Sequence, residues 1–242
     1  MSQPESAPAT PPLATPPLAS DPLLAYVLPF GAYLGMTALE SQAWTGLSYQ
    51  AVYTLKLIVV LGLLWWFRRA YPMPSTRGVA WGVVLGILGI VVWLGLDRLQ
   101  AAIPGLNSLV EQWLGKREGF QPFPDATRTP GQWLFLGIRL LGLCAVVPVM
   151  EEIFWRGFLA RYLINEQFTT VPEGSFTVTS FLVVTAGFVA VHPELLAAAA
   201  WGALINLLWL RTKNVWACVA MHATTNALLG AWILTRSDWR LW

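Results

Sequence analysis

Charged residues are scarce in this sequence. Only 12% of its 242 residues are charged, whereas 56% are hydrophobic; an ordinary soluble domain carries about 25% charged and about 45–50% apolar residues. So little polar surface cannot cover a water-facing globule, and a net charge of +2 is too small to attract an anionic partner. These numbers exclude a nucleic-acid-binding protein, a disordered chain and a small secreted disulfide protein. The remaining class is an all-α, polytopic membrane helix bundle with about seven to eight transmembrane helices, at roughly 20 residues per span.

Cysteine and histidine are scarce as well, with two residues of each type. Cys144 and Cys218 lie inside apolar runs, so they indicate no disulfide framework and are most simply small buried hydrophobes. Cys218 precedes His222 by one helical turn, which leaves open a Cys–His nucleophile pair.

The first half of the chain divides into three regions. Residues 1–22 are a Pro-rich tract without Lys or Arg, which predicts a disordered tail rather than a signal peptide. Residues 23–96 contain three apolar runs, at 23–39, 49–67 and 79–96, the last of which is closed by Asp97 and Arg98. Residues 97–131 predict a polar loop that includes an interfacial helix around 103–113.

The second half, residues 132–242, is predicted to be the catalytic helical core. Its apolar runs predict spans at 133–150, 176–191, 195–210 and 215–234, and a short polar-interrupted helix at 153–164.

An ionisable side chain inside a span is costly unless it is paired, so each one is a functional candidate. Lys56 has a long stem that favours snorkelling to the interface, and Arg139 either snorkels or pairs with a carboxylate on a neighbouring helix. Glu151 and Glu152 follow a long apolar run, and Arg156 stands at i+4 from Glu152, which favours a helical ion pair. Glu151 then points about 100° away and has no local partner.

An unpaired carboxylate in apolar surroundings suits a general base, although the Glu-Glu pair is also compatible with a plain interfacial helix end. The only histidines, His192 and His222, lie at the end of one span and inside another, and Asn226 follows His222 by one turn. A lone histidine on an apolar helix is usually structural. Here the least costly arrangement is convergence of Glu151, both histidines and Asn226 on one cavity, which supplies the groups needed for water-mediated acyl hydrolysis.

These residues carry a resemblance. The segment 151–159, Glu-Glu-Ile-Phe-Trp-Arg-Gly-Phe-Leu, resembles the EExxxR motif of the CPBP family of CAAX protease and bacteriocin-processing (Abi-like) proteins, which are related to the type II CAAX prenyl endopeptidases. Residues 188–192 are similar to its FxxxH motif, and residues 222–226 to its HxxxN motif. The resemblance covers roughly residues 133–234. Trp155 replaces the usual Phe, and Asn206 stands in a span that is generally apolar, where it either donates to the site or bonds a neighbouring helix.

The resemblance implies a multi-pass integral membrane endopeptidase, in the inner or plasma membrane if bacterial, that cleaves a membrane-anchored peptide or protein within the lipid bilayer. It implies six site residues. Glu151 acts as general base, and His192 helps to orient the water. His222 and Asn226 stabilise the oxyanion, while Glu152 and Arg156 form a structural ion pair.

Metal dependence and rival functions stay open at this point. Zinc is a possible cofactor with His192 and His222 as ligands, but the sequence lacks the His-Glu-x-x-His spacing of many zinc peptidases. A catalytically silent membrane immunity or scaffold protein, or a transporter, is the alternative function.

Overall fold

The computed structural model describes residues 21–40, 46–115, 119–124 and 128–242. These ranges form helices and no strands. In chain order the helices are α1 (Pro22–Thr37), α2 (Tyr49–Trp66), α3 (Val79–Ala102), α4 (Leu106–Leu114), α5 (Pro130–Tyr162), α6 (Val178–Ala190), α7 (Leu195–Thr212) and α8 (Val215–Arg236). The predicted disordered tail lies almost wholly outside the described residues.

Five of these helices, α2, α3, α5, α7 and α8, are long and apolar enough to cross a membrane, while α1 and α6 are shorter apolar helices. The chain is therefore a multi-pass integral membrane protein built as an all-α bundle, as its composition predicts. Capping residues mark several helix starts. Asp21 accepts a hydrogen bond from the backbone of α1, and Thr129 forms a capping box with Gln132 at the start of α5.

The prediction that Asp97 and Arg98 close the third span was wrong. Helix α3 continues to Ala102, so the polar loop begins later than expected. Asp97 remains in the helix because its buried carboxylate is paired with Arg240 at 2.8 and 2.7 Å. Helix α4 occupies Leu106–Leu114, where the sequence predicts an interfacial helix.

The prediction of a separate short helix at 153–164 was also wrong. Helix α5 runs through Glu151 and Glu152 without a break and ends at Tyr162. It contains two π-helical stretches, Gly142–Val146 and Ile153–Leu159, which flank the glutamate pair. Such stretches are frequent at functional sites because they change the direction in which the following side chains point.

Small residues fix α3 against α8, the helix that carries His222. A Cβ atom added to Gly82 would lie 2.3 Å from the Ala217 carbonyl oxygen, and one added to Gly86 would lie 2.7 Å from the Met221 carbonyl oxygen. The two backbones therefore approach each other as closely as in other small-residue contacts between membrane helices. This contact sets the position of α8 in the bundle.

Candidate active site

A cavity of about 310 Å³ lies among α1, α2, α3, α5, α8 and the turn between α6 and α7. Its lining includes four of the six predicted site residues, namely Glu151, His192, His222 and Asn226. The structure therefore brings together side chains from three separate segments of the sequence. Glu152 and Arg156 are fully buried and are not part of the lining.

Glu152 is the centre of a buried ionic network. Its carboxylate lies 3.0 Å from Arg156 Nη1, which is the ion pair that the i, i+4 spacing predicts. Its Oε1 atom lies 2.9 Å from His222 Nδ1. One carboxylate thus joins the arginine of its own helix to the histidine of α8. Because Nδ1 is occupied, His222 has Nε2 as its remaining nitrogen for the cavity.

Arg156 extends the network to two more helices. Its Nε donates to Asn206 Oδ1 of α7 at 3.0 Å, and Asn206 Nδ2 donates to Thr185 Oγ1 of α6 at 3.0 Å. Asn206 therefore bonds neighbouring side chains rather than lining the cavity. The network holds the glutamate pair in position relative to α6 and α7, on either side of His192.

Glu151 differs from its neighbour because it forms no ion pair with any residue that the structure describes. It is only 7% exposed, and its Oε2 atom is buried without a hydrogen-bond partner among those residues. Glu151 lines the cavity. A carboxylate in the wall of a polar cavity is suited to bind a water molecule.

His192 lies in the turn that follows α6, where Phe188 holds it in two ways. The Phe188 carbonyl oxygen lies 2.7 Å from His192 Nδ1, and the two rings stack with centroids 4.1 Å apart. Since a carbonyl oxygen only accepts, Nδ1 donates and Nε2 of the neutral ring is an acceptor. The FxxxH spacing thus has a physical reason, because one phenylalanine fixes both the tautomer and the orientation of the imidazole.

Asn226 connects α8 to the first π-helical stretch of α5. Its Nδ2 atom donates to the Leu143 carbonyl oxygen at 2.9 Å. This contact orients the side-chain amide, which retains a second N–H for a group in the cavity.

The donor set does not fit a zinc site. Structural and catalytic zinc ions take at least three protein ligands. Within the described ranges, no three His, Cys, Asp or Glu side chains lie close enough together to hold a metal ion. His192 and His222 each commit Nδ1 to a protein group.

Cys218 does not form the nucleophile pair that its spacing allows. The thiol is fully buried, and it contacts the carbonyl oxygens of Ile205 and Asn214 at 3.8 and 3.9 Å rather than His222. It does not line the cavity.

Sequence reasoning missed that residues of the first half complete the cavity. Lys56 is 1% exposed and pairs with Glu40, so it does not snorkel. Both side chains line the cavity, together with Arg139. The sequence did contain one signal, the position of Lys56 and Arg139 inside apolar runs. This position does not show which residues contact the two cations.

Comparison with known proteins gives one match. Residues 132–228 match the family described as Rce1-like, type II CAAX prenyl endopeptidase Rce1-like. This segment contains the three motifs and the four cavity side chains. No curated protein and no solved structure matches the chain.

Proposed function

We propose, from the match of residues 132–228 to the Rce1-like type II CAAX prenyl endopeptidase family, that the protein is an intramembrane endopeptidase that uses Glu151 to activate water. The supporting observation is the contrast between the two adjacent glutamates. Glu152 is occupied by Arg156 and His222, whereas Glu151 lines the cavity and forms no ion pair with the described residues.

The proposed reaction begins with a water molecule bound by Glu151. The Glu151 carboxylate accepts a proton from the water while the water oxygen attacks the scissile carbonyl carbon. Nε2 of His192 accepts a hydrogen bond from this water and orients it. The π bond of the carbonyl opens, and its electron pair moves to the oxygen. The carbon–nitrogen bond then breaks, and the leaving amine takes the proton that Glu151 had accepted.

We assign the stabilisation of the oxyanion to two groups. Asn226 offers its second amide N–H, and His222, whose ring the Glu152 carboxylate holds through Nδ1 at 2.9 Å, offers Nε2 when that atom carries a proton. Removing one oxyanion-hole donor from an acyl-transfer enzyme costs about 10²–10³ in kcat.

The experiment is a cleavage assay with the purified full chain in lipid nanodiscs. The substrates are a farnesylated CAAX peptide and a palmitoylated peptide of the same sequence. We expect Glu151→Gln to lower kcat by about 10²–10⁴-fold, the usual contribution of a general base.

The matched control is Glu111→Gln, which changes an exposed carboxylate on α4 outside the cavity and should leave the rate unchanged. Cleavage that persists in Glu151→Gln would falsify the role of this residue. Failure of the unmodified chain to cleave either peptide would support a silent immunity or scaffold protein.

A further inference from the structure

The cavity has a second polar group that the proposed reaction does not use. This group contains three tyrosines, a glutamate and two cations: Tyr33, Glu40, Tyr49, Tyr53, Lys56 and Arg139. Both cations belong to spanning helices, Lys56 to α2 and Arg139 to α5. Lys56 is buried and Arg139 is half-buried. A cation inside a membrane helix bundle is costly without a counter-charge, so the partner of each one is informative.

Lys56 is neutralised within the protein. Its ammonium pairs with the Glu40 carboxylate and donates to Thr37 Oγ1 at 3.0 Å. It also lies 4.2 and 4.8 Å from the ring centres of Tyr33 and Tyr53. These contacts satisfy the charge and leave little need for a ligand.

Arg139 has a different environment. Its guanidinium lies 5.1 to 5.5 Å from the ring centres of four aromatic residues, Tyr49, Tyr53, Phe120 and Trp242. It donates one hydrogen bond, to the Tyr49 hydroxyl. In the described part of the chain no carboxylate forms an ion pair with it, although Lys56, Arg156 and Arg240 each have one. The rings hold the guanidinium in place, and most of its five N–H donors have no acceptor among the residues that the structure describes.

We propose that Arg139 is an anion-binding subsite of this cavity and that it binds a carboxylate of the peptide substrate. The inference rests on the proposed function for the identity of the substrate. A planar guanidinium binds a carboxylate through two parallel hydrogen bonds, and the aromatic rings reduce the entropy lost when they form. The ligand is either the C-terminal carboxylate of the peptide or an acidic side chain, which share this chemistry.

The shared cavity favours a substrate carboxylate over a lipid phosphate. Arg139 and Glu151 line the same cavity, so one peptide ligand can reach both residues.

The helix also limits where the carboxylate lies in the substrate. Arg139 and Glu151 are twelve residues apart on α5, about 18 Å along an α-helix and slightly less with a π-helical stretch between them. An extended peptide spans about 3.3–3.6 Å per residue. The carboxylate therefore lies within about five residues of the bond that is cleaved.

The test measures binding, so that it does not depend on turnover. The probe is a palmitoylated peptide with a single acidic side chain, made with a free C-terminus or a C-terminal amide, and in each case with Asp or Asn at the acidic position. The affinity of each peptide is measured for the full chain and for Arg139→Gln, Arg139→Lys and Arg68→Gln. Arg68 is the matched control, because it lies 4.2 Å from the ring centre of Trp65 but does not line the cavity.

We expect neutralising one of the two carboxylates to weaken binding about tenfold to a hundredfold, the value of a charged hydrogen-bonded pair. The carboxylate whose neutralisation has this effect, either the C-terminal one or the acidic side chain, is the one that binds Arg139. Arg139→Gln should abolish the difference, Arg139→Lys should retain part of it, and Arg68→Gln should retain all of it.

Two outcomes would overturn the subsite. One is equal affinity of all four peptides for the unmodified chain, which is decisive even if Arg139→Gln fails to fold. The other is Arg139-dependent binding of decyl phosphate but of none of the peptides, which would assign the site to a lipid headgroup. Glu151→Gln should retain the discrimination. If the unmodified chain prefers the carboxylate but cleaves no peptide, the subsite stands and the proposed function alone is refuted.

Discussion

The Glu152–Arg156 pair should show strong coupling in the free energy of unfolding. Both side chains are fully buried, and Arg156 also donates to Asn206. Arg156→Leu removes one partner and leaves a buried carboxylate with His222 alone. Breaking a buried pair in this way costs about 3–5 kcal/mol. At about 2–4 °C per kcal/mol for a chain of this size, Tm should fall by roughly 6–20 °C.

The double variant should be less damaging than the sum of its parts. Glu152→Gln leaves the Arg156 charge buried and unpaired, so we expect a loss similar to that of Arg156→Leu. Combining the two substitutions removes both charges, and the second substitution should cost about 1–3 kcal/mol less than it does alone.

Arg161 provides the matched control. It is buried on the same helix but donates to the backbone carbonyl oxygens of Gly157, Thr169 and Val171, with no carboxylate. Arg161→Leu should destabilise the protein and show no coupling to Glu152→Gln. The assay is thermal unfolding of the full chain in detergent, followed by intrinsic tryptophan fluorescence. Additive effects of Glu152→Gln and Arg156→Leu would refute the argument from paired burial.

Three further predictions concern the site and its support. Treatment with a chelator should leave peptide cleavage unchanged, because no three ligands converge among the described residues; a loss restored only by added zinc would contradict this. Cys218→Ser should retain cleavage, since the thiol lies outside the cavity, and its inactivation would revive the cysteine mechanism. Gly86→Leu should lower both Tm and cleavage, because a Cβ there meets the Met221 carbonyl oxygen at 2.7 Å and displaces the helix of His222; a rate equal to that of the unmodified chain would argue against the close contact between α3 and α8.

Much of the bundle is predictable because spanning helices need long apolar runs, which are visible in a single sequence. The runs at 49–67, 195–210 and 215–234 end within a few residues of α2, α7 and α8. The convergence of Glu151, His192, His222 and Asn226 was also predictable, since isolated polar groups in an apolar bundle need each other. Their chemical roles remain proposals.

The errors share a cause, which is that distant partners change the behaviour of local charges. Asp97 continues α3 because Arg240, 143 positions later, neutralises it. Lys56 is buried because Glu40 and two tyrosine rings receive its ammonium. Helix α5 passes through the glutamate pair because His222 and Arg156 satisfy Glu152 from inside the bundle. The hydrophobic pattern of a sequence indicates which environment each residue prefers by itself. It does not show which charges are neutralised by a partner on another helix.

The π-helical stretch Gly142–Val146 sets the rotation of Glu151 relative to Arg139 along α5. A π-helical turn holds one residue more than an α-helical turn, and here it lies between these two residues. Converting the stretch to regular α-helix at the same length would rotate everything that follows by about 100° relative to everything before. Glu151 would then turn away from the cavity while Arg139 stayed in place. Deleting one residue together with the π-helical turn would instead keep the register, so a working relative should have both the extra residue and the π-helical turn or neither of them.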